Sequence, residues 1–211
     1  MTDDAVLAHR ADYWTWIEAN AVPAMRDVLL RLRSHWHEVN AKFFAAAMAE
    51  PYITLTEPSK PSLLGQCWSV SSWGSRLEIR LRPSLLDGTH PAMVAGDDHA
   101  EGRWLFAADV LTHECIHQWQ TEITGKAEGS YHGHGPGFAG KANEIGAALG
   151  LPAVAVRNRS GSRDLVCAHW PHNVRSPAHY LGAWQPPEPV PATGDICPHC
   201  HGTGRITGGQ P

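Results

Sequence analysis

The sequence predicts an α+β fold, with helices packed on a small antiparallel sheet and a small appendage near the C-terminus. Three observations lead there. A long segment, 24–48, repeats its apolar residues with a helical period. Three short segments between 52 and 82 have strand character. A second long helical pattern, about 102–121, follows a polar loop.

Composition sets the bounds. A chain of 211 residues holds one ordinary domain and at most a small appendage. Hydrophobic residues at 43% and charged residues at 18% suit a globular fold with a real core. The nine tryptophans are read as mostly core anchors. A net charge of −4 argues against a protein whose main business is gripping a phosphate backbone. The local cluster Arg157, Arg159 and Arg163 in VRNRSGSRD reads as a solvated loop. The acidic start, MTDDAVLAHR, lacks the apolar stretch of a secretory signal, and no apolar run is long enough to span a membrane. With five cysteines, two of them in a C-x-x-C, metal binding is favoured over a disulfide framework, and a reducing, cytoplasmic location is expected.

Residues 4–20 read as a short helix, and Pro23 suits the first position of the next. From Ala24 to Met48, Val28, Leu29, Leu32, Trp36, Val39 and Phe43 form one apolar side. His35 and His37, two apart, point to different sides of that helix and are read as boundary and surface residues. YITLT (52–56), GQCWSV (65–70) and RLEIRLR (76–82) are expected to form an antiparallel meander, with Cys67 an inert core thiol. In the helix from about Gly102 to Thr121, Ala108, Leu111, Cys115 and Trp119 share one face, while His113 and His117 share the other. A Gly-rich loop leads to Pro136, which opens a helix with Phe138, Ala142, Ile145 and Leu149 on its apolar face and Gly150 at its end. From 183 a Pro-rich connector follows, and GTGRITGGQP is expected to be a disordered tail.

The motif His113-Glu114-x-x-His117 carries the chemistry. On a helix it sets two imidazoles one turn apart, with a glutamate between them. That suits two zinc ligands and a base aimed at the water on the metal. A catalytic zinc needs a third protein ligand and an open position. Gln120 and Ile123 stand where the HExxHxxGxxH pattern wants Gly and His, which excludes that class. Spacing leaves three candidates: His134, His132, and Glu144 in the following helix.

HECIHQWQ (113–120) followed by HGPGFAGKANEIGAALGL (134–151) resembles the SprT-like, Spartan-related zinc metallopeptidases, and NAKFFAAAM (40–48) before the strands resembles that family's approach to its domain. The likeness covers about 40–150, with the domain itself expected at 23–155 behind an N-terminal helical extension, 1–22. It implies a zincin-like fold, His134 of H-G-P as third zinc ligand, and metal-assisted hydrolysis of peptide bonds with Glu114 as general base. It also implies that DNA-associated proteins are possible substrates, a point the net charge does not support. Tyr131 and His132 are candidate oxyanion stabilisers only by their place in the sequence.

Cys197-x-x-Cys200 in DICPHCHGTG offers half of a second metal site. It also matches one copy of the C-x-x-C-x-G-x-G repeat of DnaJ-type chaperones, which normally comes in several copies. SprT proteins often carry a C-terminal zinc ribbon. Cys167, His169, His172-Asn173, Cys197 and Cys200 follow its order, with His169 or His172 as the fourth ligand, giving a possible structural zinc within 156–203 ahead of the tail at 204–211. Two functions compete: a zinc endopeptidase, and a zinc-stabilised module that binds nucleic acid or protein with its peptidase site silent. A small-molecule metallohydrolase has no motif behind it beyond the zinc site.

Overall fold

The computed structural model describes residues 3–58, 60, 62–70, 76–87, 89–90, 100–156 and 165–181. The Arg157, Arg159 and Arg163 cluster, the Pro-rich connector, Cys197, Cys200 and the tail lie outside these residues. Among the described residues, six α-helices and three strands follow in the order α1 (Asp3–Asn20), α2 (Pro23–Phe43), β1 (Tyr52–Leu55), β2 (Gly65–Val70), β3 (Arg76–Leu81), α3 (Ser84–Asp87), α4 (Ala100–Trp119), α5 (Pro136–Ala148) and α6 (Pro177–Leu181). The fold is mixed α+β, with helices on a small three-stranded sheet. No helix among the described residues is long and apolar enough to cross a membrane.

The sheet is mixed, where the sequence led us to expect an antiparallel meander. Its order is β1-β3-β2, with β1 parallel to β3 and β2 antiparallel to it. Strand β3 takes the centre because its alternation supplies the deepest inner row: Leu77, Ile79 and Leu81 are all buried. Ile53 of β1 pairs with Ile79 in register and is equally buried. This order makes β2 an edge strand.

Helix α2 stops at Phe43, five residues before the expected Met48. Ala45 and Ala46 adopt left-handed φ angles, and Asn40 folds the exit back by bonding both the carbonyl and the amide of Met48. The apolar side of α2 is as read: Leu29, Leu32, Trp36 and Val39 are buried. His35 is half-buried against Thr112, and His37 is exposed.

Helix α4 is the axis of the molecule. Helices α2, α3, α5 and α6 and strands β2 and β3 all pack on it. The sequence suggested an apolar face and an open histidine face, yet burial runs from Phe106 to Ile116 without a break. The histidine side is covered by α5 and by residues 165–181, which the sequence reading assigned to the appendage. That segment is drawn in by a short parallel bridge in which Ala155 bonds Leu165 and Cys167. Asp109, buried on α4, clamps it with two bonds from the Arg175 guanidinium at 3.1 Å and one from the Tyr180 hydroxyl at 2.8 Å. Trp170, fully buried, is its apolar anchor.

Candidate metal centre

The i, i+4 spacing on α4 brings His113 and His117 together, and the loop before α5 delivers the third imidazole. The Nε2 atoms of His113, His117 and His134 form a triangle with sides of 3.0, 3.2 and 3.2 Å. Imidazole nitrogens that share a tetrahedral zinc at about 2.0–2.1 Å sit about 3.3 Å apart. The triangle therefore has the size of three corners of such a site. These three residues can hold a metal ion, and they are the one cluster of three or more such groups among the described residues.

The tautomers point the same way. His113 donates its Nδ1–H to the backbone carbonyl of Trp170 at 2.6 Å. His117 Nδ1 faces Gln120 Oε1 at 2.9 Å. The orientation of that amide is fixed, because Gln120 Nε2 gives its two hydrogens to the Gly133 carbonyl at 3.0 Å and to Glu128 at 2.7 Å. His117 must therefore donate from Nδ1. Both rings are left with bare Nε2 lone pairs pointing at one spot 3.2 Å apart, an arrangement that a cation, or an N–H from His134 Nε2, relieves. Orientation of a ligand ring through its second nitrogen is the usual support of a metal site. Burial holds both rings in the neutral, ligating form: His113 lies well below the usual histidine range, and His117 is pushed down to about 4.

Phe138 is the floor. Its ring centroid lies 4.7, 4.8 and 4.9 Å from those of His113, His117 and His134, and it is fully buried. Gly133 lets the loop close over α4. It has φ +85°, and a Cβ there would sit 2.8 Å from His117 Cε1, so a side chain fails on both counts.

Glu114 is buried on α4 and lines the same cleft, a space of about 520 Å³ that also takes in Leu64, Gly65 and Cys67 of the β2 side and His132, His169 and His172. Burial pushes its carboxyl up to about 8, opposed by the backbone N–H of Cys67. Gly65 is needed here for close approach: a Cβ would lie 2.9 Å from Val110 Cγ1 and 3.0 Å from Glu114 Oε1. The Cys67 thiol, half-buried, is raised well above its usual range by burial and stays protonated.

The remaining sequence candidates divide. Glu144 is exposed and paired with Lys141 at 2.7 Å, away from the triad. His132 is exposed on the cleft, and Tyr131 is 40% exposed. Cys167, read as a possible structural zinc ligand, is fully buried, and its thiol donates to the His134 carbonyl at 3.4 Å. His169 and His172 have ring centroids 6.0 Å apart at the cleft, while Cys197 and Cys200 lie outside the described residues. Sequence reasoning passed over Gln120, Trp170 and Phe138 as parts of the site. The available signal was Gln120, a polar residue one turn past His117 on the histidine side of the helix.

No family model matches the chain, and no curated protein or solved structure matches it.

Proposed function

We propose that the chain is a zinc-dependent endopeptidase of the SprT-like kind, with His113, His117 and His134 as zinc ligands and Glu114 as general base. The observation behind this reading is the convergence of three Nε2 atoms within 3.2 Å in a cleft that also holds Glu114. The donor set supports zinc, since three imidazoles and an open position suit that ion. When bound, zinc would polarise the scissile carbonyl and make a water nucleophilic near neutral pH.

The chain's own residues do the rest. Trp170 and Gln120 keep the His113 and His117 rings turned so that Nε2 ligates. Burial raises the Glu114 carboxyl, and the positive charge of a bound zinc would hold it ionised; the carboxylate then takes the proton from the attacking water and hands it to the amide nitrogen as the C–N bond breaks. Strand β2 supplies a place for an extended polypeptide. Arg82 N–H bonds the Leu64 carbonyl at 3.1 Å, so by alternation the backbone groups of Gly65 and Cys67 turn away from β3, the Cys67 N–H being engaged by Glu114. No described strand pairs with that outer edge, and a peptide laid along it gains main-chain hydrogen bonds beside the metal centre. That DNA-associated proteins are its substrates is the narrower form of the proposal, supported by the family resemblance alone.

The test compares zinc-loaded protein with its Glu114→Gln variant on an unfolded basic protein, with and without DNA. Cleavage by the first alone supports the peptidase, and a DNA-dependent rate supports the narrower form. No cleavage by either zinc-loaded protein contradicts it and leaves a zinc-stabilised binding module.

A further inference from the structure

The loop between α4 and α5 is organised around one carboxylate. Glu128 Oε2 accepts from Gln120 Nε2 at 2.7 Å and from the Phe138 N–H at 3.0 Å, while Oε1 accepts from the Gly137 N–H at 2.8 Å. Gly137 and Phe138 belong to the first turn of α5, whose amides have no partner inside the helix. The residue before α5, Gly135, gives no side-chain cap, so Glu128 fills that role from the far side of the loop. Its third bond goes to the side chain that orients His117. One carboxylate therefore touches the support of a ligand on α4 and the start of the helix that follows His134.

The loop has need of such a tie. Glu128 and His132 both adopt left-handed φ angles, 45° and 53°, which are unfavourable for residues other than glycine. A loop bent in this way keeps its shape only if its contacts over-determine it. Glu128 also carries negative charge toward the triad, and through Gln120 that charge polarises the His117 Nδ1–H and makes Nε2 a better donor to a cation.

We propose that Glu128 is a positioning residue of the metal centre, whose carboxylate joins His117, through Gln120, to the loop and helix start that carry His134. The inference rests on the metal-binding part of the proposed function and is independent of peptide hydrolysis.

The test is a double-mutant cycle on the full chain, Glu128→Ala and Gln120→Ala, singly and together. It is read by Zn²⁺ affinity in competition with a chromogenic chelator and by the visible absorption spectrum of the Co²⁺-loaded protein. Each single variant is expected to weaken Zn²⁺ binding roughly 10–100-fold and to alter the Co²⁺ spectrum. The double variant is expected to bind no more than a few-fold weaker than Glu128→Ala, because both changes cut the same chain. Factors that multiply in the double variant, or a Glu128→Ala protein of unchanged affinity, would overturn the proposal. Should Glu128→Ala not fold, Gln120→Ala leaves the α5 contacts in place. It must then weaken Zn²⁺ at least tenfold in protein shown to be folded without metal, and an unchanged affinity overturns the proposal. A wild-type chain that fails to bind Zn²⁺ removes the metal centre, and this inference with it.

Discussion

His113 donates its Nδ1–H to the carbonyl of Trp170 at 2.6 Å, so the tautomer of a ligand on α4 is set by a residue 57 positions further along the chain. The segment carrying Trp170 is in turn held by Arg175 and Tyr180 on Asp109, one turn before His113 on the same helix. A metal held by His113 would thus be coupled through α4 to the docking of residues 165–181.

Arg175→Ala should expose that coupling. The Asp109 carboxylate, buried with an 8% exposed side chain, would lose its guanidinium partner and keep the Tyr180 hydroxyl at 2.8 Å and the His179 ring nitrogen at 4.0 Å. Breaking a buried pair from one side costs about 3–5 kcal/mol. Urea unfolding should show a loss of that order, and Zn²⁺ affinity should fall although Arg175 touches no ligand. A loss under 1 kcal/mol with unchanged affinity would mean that the clamp does not hold the segment.

Gly65→Ala tests the approach of β2 to α4. The added Cβ meets Val110 and Glu114 at 2.9–3.0 Å, so strand or carboxylate must shift. Overpacking of this kind costs about 1–3 kcal/mol. The stability loss should come with a fall in peptide cleavage at unchanged zinc content, because the displaced group is the proposed base and none of the three histidines.

Phe138→Ala removes the floor under all three imidazoles. Loss of a buried Phe costs about 3–5 kcal/mol, and a void beneath the triad should weaken metal binding as well as folding. Thermal melts with and without Zn²⁺ would show a smaller zinc-induced rise in the variant than in wild type.

Acid should destabilise the fold through His172. Burial, helped by His169 and opposed by Asp109, pushes its pKa from 6.5 down to about 4. As pH falls through 6.5 the unfolded chain takes up a proton that the folded chain refuses until about pH 4. Stability therefore drops between those values and is flat below, by on the order of 3 kcal/mol. His172→Phe, which keeps the ring contact with Phe106, should flatten that part of the curve. Metal-free protein is the sample, so that ligand protonation enters both curves alike. Identical slopes for the two proteins would contradict the assignment.

Local pattern was enough for much of this. The spacing of His113 and His117 needs only a helix, and the apolar period read over 24–48 and the alternation of 76–82 announce their elements directly, though the first runs five residues past the end of α2. Spacing alone left His134, His132 and Glu144 open, because the left-handed turns at Glu128, His132 and Gly133 decide which of them comes back to α4. The sheet was misread for a related reason: EPSKPS is equally compatible with a hairpin and with a crossing past β3, and burial of the β3 inner row chooses the crossing. Residues 165–181 were assigned to an appendage on the strength of Cys167 and His169. The clue to their packing was Asp109, an acid amid apolar residues on a helix, which needed a partner from elsewhere in the chain.

Zinc content and coordination test the central claim most directly. Elemental analysis of the purified full chain should show stoichiometric zinc, X-ray absorption at the zinc edge should show imidazole nitrogens at about 2.0–2.1 Å, and His134→Ala should lose one ion per chain or one of those nitrogens. A chain without stoichiometric metal, or a zinc whose coordination survives His134→Ala unchanged, would contradict the account.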